Sequence, residues 1–227
     1  MDHQTRTEIS LRQLFLPPNL LTLSRIALTL PIAWLIMAGT GQATLICFIL
    51  ITIAAITDFL DGYLARHLNQ ITPLGLILDP LADKFMAITI IIMLILSRDF
   101  SWWLASVIIL RDLLILSGGA ILSHRGGRIP PSTLTGKYYF AALAILLMTY
   151  IIRFDFGIGM FGYITIILLI LSTIIYIRRF YYFIRTGADR IFKDKPLYIR
   201  LRAVAVIITT MIFLYRLYTD FLGGIIG

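Results

Sequence analysis

Six runs of roughly twenty apolar residues, at 19–37, 43–65, 75–96, 101–123, 134–152 and 158–177, are separated by short polar links. At ~1.5 Å per residue such a run matches the ~30 Å hydrocarbon core of a bilayer. In hydrocarbon a segment must satisfy its own backbone N–H and C=O groups, and a helix does so within one run. The expected fold is an all-α polytopic membrane protein, with six transmembrane helices around a polar cavity that faces the cytoplasm. A further apolar stretch at 203–214 holds twelve residues before Tyr215-Arg216, a length that fits either an interfacial helix or a short seventh span. The chain has 227 residues, 59% of them hydrophobic, with a mean hydropathy of +0.91. That is far more apolar than a soluble domain, and the length leaves room for six or seven spans but not for two large domains.

The links divide the chain into three segments. Residues 1–18 are mixed and polar, with Ile9, Leu11, Leu14, Phe15 and Leu16 interspersed with Arg12 and Gln13, and they suit a juxtamembrane, interfacial helix. No cleaved signal peptide is expected, since a polar segment precedes the first apolar run and no small-residue cleavage site is evident. Residues 19–180 form the transmembrane domain. Residues 181–227 form a basic juxtamembrane tail with a short C-terminal apolar helix. The single cysteine, Cys47, lies inside an apolar run, so there is no disulfide framework.

The formal net charge of +8 fits cytoplasmic links facing anionic headgroups better than a nucleic-acid partner. The N-terminal segment, the link at Arg66, the loop with Arg125 and Arg128, and the basic tail alternate with links that hold no cation, Arg98 alone and Arg153 alone. The cation-rich set marks the cytoplasmic side, and the expected location is the bacterial cytoplasmic membrane.

Four of the twelve acidic residues fall between positions 58 and 83, flanked by apolar sequence. A carboxylate near a bilayer costs roughly 2.5–3.5 kcal/mol on insertion scales and marks function by default. Asp58 and Asp61 are three apart, Asp79 and Asp83 four apart, so each pair shares one helix face. The polar link from Arg66 to about Thr72 lets the two helices run antiparallel, with Asp58 and Asp83 roughly 10–12 Å deep on the same side. Four like charges need compensation. One or two hard divalent cations with oxygen ligands, Mg²⁺ or Mn²⁺, supply it most simply. Gly62 follows Asp58 by one turn, and its missing side chain opens the helix backbone to a substrate such as a nucleotide. Ala65 continues that face, and Gly75 opens the next helix where packing is close. Arg111 and Lys137, with Arg125 and Arg128, are the candidates to hold an anionic group on an acceptor. An intramembrane acidic cluster also fits a cation-coupled transporter, but that class spreads its acids across the bilayer and repeats its halves. This chain does neither.

The pattern D-x2-D-G-x2-A-R-x8-G-x3-D-x3-D, at Asp58, Asp61, Gly62, Ala65, Arg66, Gly75, Asp79 and Asp83, resembles the signature of the CDP-alcohol phosphatidyltransferases at every fixed position. The six-span layout extends the resemblance over about residues 17–180. It implies transfer of a phosphatidyl group from a CDP-linked lipid, usually CDP-diacylglycerol, to an alcohol, with release of CMP. It also implies that Asp58, Asp61 and Asp79 bind divalent metal, and that Asp83 completes the site and acts as base on the acceptor hydroxyl. Gly62, Ala65, Arg66 and Gly75 would line the nucleotide pocket, and a homodimer is implied.

Within the family, Pro18-Asn19-Leu20-Leu21-Thr22-Leu23-Ser24-Arg25 and Leu78-Asp79-Pro80-Leu81-Ala82-Asp83-Lys84 resemble the phosphatidylglycerophosphate synthases, whose acceptor is glycerol 3-phosphate. Gly136-Lys137 matches them too. Arg111-Asp112 departs from the usual Arg-Glu pair, and a second arginine expected after it is missing. Cardiolipin synthases, whose acceptor is phosphatidylglycerol, share most of these features, including Arg-Asp, and stand as the alternative.

Overall fold

Every element among the described residues is a helix. The computed structural model describes residues 16–67, 73–124, 133–186 and 196–222, in two units, 1–102 and 103–227.

In the first unit, α1 (Pro17–Ala38) begins with two prolines in its first turn, where backbone N–H groups have no intrahelical acceptor to lose. It ends at Gly39, whose φ of 66° is left-handed and whose N–H reaches the Leu35 carbonyl at 3.3 Å. A side chain at Gly39 would also approach the guanidinium of Arg98 to 3.5 Å. The buried positions of α1 are Asn19, Thr22, Arg25, Thr29, Ile32, Leu35 and Ile36. Their spacing of three and four makes one stripe. That stripe is polar over its first half and apolar over its second. Against α1 pack both α2 (Gly41–His67) and α3 (Pro73–Arg98). The buried positions of α2 include the small residues Ala43, Cys47 and Ala54, which allow close approach of helix backbones in a membrane.

The second unit holds α4 (Trp102–His124, its first residue on the unit boundary), α5 (Leu134–Ile151), α6 (Asp155–Thr186), α7 (Pro196–Leu217) and a π-helical turn, Tyr218–Leu222. Thr133 caps α5, its hydroxyl accepting from the Gly136 N–H at 3.1 Å. A tight turn joins α5 to α6, with Arg153 at φ 56° and the Phe154 N–H on the Thr149 carbonyl at 2.9 Å. Gly157 makes that hairpin possible, since a Cβ there would lie 2.5 Å from Thr149 Cγ2. The Gly118 Cβ position meets the Phe180 ring at 3.5 Å, and Tyr176 donates its hydroxyl to the Ile115 carbonyl at 3.2 Å. With Arg111 on Ser172, these contacts advance together along α4 and α6, which therefore run parallel.

The helices α1 to α6 coincide with the six apolar runs of the sequence within two or three residues, save at one end. α6 continues to Thr186 instead of stopping near 177, because residues 178–186 contain no proline or glycine to break it. Its 32 residues rise ~48 Å, more than a bilayer core requires. Asn19–Ala38, Trp102–Gly119, Leu134–Ile151 and Asp155–Thr186 are each long and apolar enough to cross a membrane, and Gly41–Thr57 is a shorter apolar segment. Large apolar side chains such as Leu30, Trp34, Leu110 and Ile167 are exposed along these helices, as lipid contact requires and water would penalise. The protein is an integral membrane protein. The expected interfacial helix at 1–18 falls largely outside the described residues.

Candidate active site

The four motif aspartates sit on α2 and α3. Asp61 lies six residues before the end of α2 and Asp79 six after the start of α3, each ~9 Å along its helix. Asp58 and Asp83 lie nine and ten residues from the same ends, or roughly 14–15 Å. Measured from these ends, Asp61 and Asp79 are the nearer residues and Asp58 and Asp83 the farther. The side chains of Asp58, Asp61, Gly62, Ala65 and Arg66 are outside the described set, as are all of Arg125 and Arg128. Gly75 is buried in the first turn of α3.

On α3 the partners are explicit. Thr22 of α1 donates its hydroxyl to Asp79 Oδ1. Three residues on, Arg25 Nη1 pairs with Asp83 Oδ1. The steps 22 to 25 and 79 to 83 rise together, so α1 and α3 run parallel with one turn of each in register. Arg25 is 2% exposed, whereas the Asp83 side chain is 51% exposed. The carboxylate is gripped from behind and open in front. Thr22 is the participant that motif reasoning left without a role. The signal was available, since Asn19, Thr22, Arg25 and Thr29 recur at helical spacing inside an apolar run.

A second polar group lies within the other unit. Arg111 is buried and bonds Asp112 Oδ1 at 2.8 Å and Ser172 Oγ at 3.1 Å. Its guanidinium lies 4.5 Å from the centre of the fully buried Tyr139 ring and 5.4 Å from that of Phe140. A Cβ on Gly136 would come within 3.9 Å of Arg111 Nη2. Arg111 therefore reaches the first turn of α5, one residue from the exposed Lys137. Side chains of α4, α5 and α6 all contribute to the surroundings of Arg111.

Residues 15–177 match the family model for CDP-alcohol phosphatidyltransferases. The chain belongs to that family. Among similar proteins, the "CDP-diacylglycerol--glycerol-3-phosphate 3-phosphatidyltransferase" of Rickettsia bellii is 35% identical over 134 residues, 58% of this chain and 74% of the relative. The protein of the same name from Aquifex aeolicus is 32% identical over 179 residues, 78% of this chain and 98% of the relative. A "Probable cardiolipin synthase (CMP-forming)" of Drosophila melanogaster is 33% identical over 127 residues, 55% of this chain and 37% of that longer protein.

As a CDP-alcohol phosphatidyltransferase the chain is an enzyme, and the donor chemistry at its motif is uniform. Asp79 and Asp83 offer carboxylate oxygens, the ligand type of a hard divalent cation. Each is held through one oxygen by a buried partner, as ligating carboxylates generally are. The residues present therefore fit such an ion. Among the described residues, no three acidic, histidine or cysteine side chains form a metal cluster. Two of the four motif carboxylates stand outside that set.

Proposed function

We propose that the protein transfers the phosphatidyl group of CDP-diacylglycerol to glycerol 3-phosphate, forming phosphatidylglycerophosphate and releasing CMP. The observation that carries this reading is the pair of α3 carboxylates held in register by α1, at the second half of the family's motif. The Aquifex relative, matched along 98% of its length, supports the acceptor.

In this mechanism Asp58, Asp61, Asp79 and Asp83 hold Mg²⁺ or Mn²⁺. When bound, the ion offsets the charge of the diphosphate and of its transition state. Gly62, Ala65, Arg66 and Gly75 line the nucleotide pocket. Asp83, open on one side, takes the proton from the acceptor hydroxyl. The acceptor oxygen bonds to the phosphorus that carries diacylglycerol, the bond from that phosphorus to the bridging oxygen breaks, and CMP departs with the electron pair. Lys137, Arg111, Arg125 and Arg128 hold the phosphate of the acceptor. Lys137 is the exposed member of the described pair, and Arg111 lies behind it with its own partners.

The site faces the cytoplasm of a bacterial cell, and the protein acts as a homodimer; cation counting supports the first reading and family resemblance the second. The transmembrane region has seven spans. Phe213 of α7 packs its ring on Phe154 at 5.7 Å and Phe161 at 5.2 Å, and Arg216 lies 5.0 Å from the centre of the Phe156 ring. These partners flank the start of α6, so α7 returns along α6 to the α5–α6 turn, and its 22 residues rise ~33 Å.

Cardiolipin synthesis remains the second reading, favoured by the Arg111-Asp112 pair and by the Drosophila relative. The deciding experiment is CMP release by purified protein in nanodiscs containing CDP-diacylglycerol, with Mg²⁺ or Mn²⁺ and one acceptor at a time. Release that requires glycerol 3-phosphate supports the proposal. Release with phosphatidylglycerol instead assigns the second reading. Release with neither, beside an active relative, removes both.

A further inference from the structure

The burial pattern of α1 assigns that helix to the site. We propose that Thr22 and Arg25 are positioning residues, which fix the Asp79 and Asp83 carboxylates for a divalent cation. The inference rests on the divalent-cation reading above and deepens it.

Three observations carry it. First, hydroxyls in apolar helices usually satisfy themselves on a carbonyl of their own helix. Ser24 does so on Leu21 at 2.7 Å and Thr29 on Arg25 at 3.0 Å. Thr22, fully buried, reaches across to α3 and donates to Asp79. Second, the buried stripe of α1 is polar along the turns that face the aspartates and apolar from Ile32 onward. Close packing of α1 on α3 alone is served by the apolar kind of side chain. Burying Asn19, Thr22 and Arg25 instead carries a desolvation cost that simple packing does not explain. Third, the two contacts occupy successive turns of both helices. One rigid helix therefore orients two carboxylates together and leaves Asp83 half-exposed toward what it binds.

A partner that orients a ligating group without touching the metal is typically worth about 10–100-fold in metal affinity. The probe is Mn²⁺ alone, titrated by electron paramagnetic resonance into the full-length protein in nanodiscs, with the melting temperature of each variant measured alongside. Thr22→Val keeps the shape and removes the donor, and is expected to weaken Mn²⁺ binding about 10–100-fold. Thr22→Ser keeps the donor and is expected to restore affinity to within a few-fold of the parent. A mere packing role predicts the reverse, with Val tolerated and Ser, which lacks the methyl group, the worse of the two. Mn²⁺ affinity in Thr22→Val equal to that of the parent overturns the inference. Should Thr22→Val not fold, Arg25→Lys takes its place. It keeps the charge but loses the planar fork; weakened Mn²⁺ binding at a parent-like melting temperature supports the inference, and unchanged binding overturns it. Asp79→Asn is run in parallel. If it abolishes Mn²⁺ binding while Thr22→Val does not alter it, positioning fails and the metal reading stands. If the parent itself binds no Mn²⁺, the metal reading fails and the inference with it.

Discussion

Two of the buried arginines among the described residues, Arg25 and Arg111, have opposite surroundings. Arg25 reaches from α1 to a carboxylate that is half-exposed, so its ion pair has one dry side and one open side. Arg111 is enclosed. Its own neighbour Asp112 is 14% exposed, Ser172 lies across from it on α6, and two aromatic rings stand beside its guanidinium. A buried ion pair contributes little net stability, because desolvation offsets much of the Coulomb gain, yet removing one partner strands the other. The Arg25 pair is therefore arranged so that its acid can meet a ligand. The Arg111 group is arranged to join three helices behind the exposed Lys137, so in the proposed site it serves the acceptor phosphate from an enclosed position. Membership of one polar class in one apolar sequence does not make two residues equivalent; exposure of the partner separates them.

The largest test of this contrast is Asp83→Asn. Loss of a general base costs about 10²–10⁴-fold in rate, so CMP release is expected to fall by that factor. The near-isosteric amide still offers Arg25 an oxygen, and the melting temperature is expected to stay close to that of the parent. A large drop in melting temperature with turnover retained would make Asp83 a structural anchor like Asp112.

Arg111→Ala is the counterpart. It breaks the ion pair with Asp112 and leaves a void beside Tyr139, at a cost on the order of 3–5 kcal/mol. Thermal unfolding in nanodiscs is expected to show a large loss, and Arg111→Lys only a partial recovery, since a lysine lacks the planar fork that reaches Asp112 and Ser172 from two nitrogens. Parent-like stability in Arg111→Ala would remove the scaffold role, and an unchanged KM for the acceptor would remove Arg111 from the acceptor site.

A steric lesion in the same unit sets the scale for that loss without any change of charge. Gly157→Ala forces a methyl group against Thr149 and Phe154 in the α5–α6 hairpin, and overpacking of this kind costs about 1–3 kcal/mol. If it proves as damaging as Arg111→Ala, the electrostatic account of Arg111 loses its support.

The smallest stability effect is expected at Lys137, which is exposed and one residue from the Arg111 environment. Surface substitutions of this kind usually fall within about 0.5 kcal/mol, so Lys137→Ala is expected to leave unfolding unchanged while raising the KM for glycerol 3-phosphate. An unchanged KM would remove Lys137 from the acceptor site.

Much of this was legible without coordinates. The six apolar runs foretold α1 to α6 because a bilayer sets helix length and forbids unsatisfied backbone. The same runs placed the four aspartates on α2 and α3, since the motif straddles the link between two of them. The helix α6 outruns its apolar run because nine further residues without a helix breaker carry it past that limit. The return of α7 was left open because twelve apolar residues do not reveal whether Phe213 finds a partner, and its partners lie more than fifty residues earlier.

What the sequence by itself determined was therefore which residues share a face and how deep each lies, since both follow from rise and turn within one helix. Only the tertiary structure decided that Thr22 meets Asp79, that Arg25 meets Asp83, and that Arg111 is shared among Asp112, Ser172 and Tyr139. Except for Asp112, those partners lie 28 to 61 residues away, and the register between helices is a property of their packed surfaces, which no single segment contains.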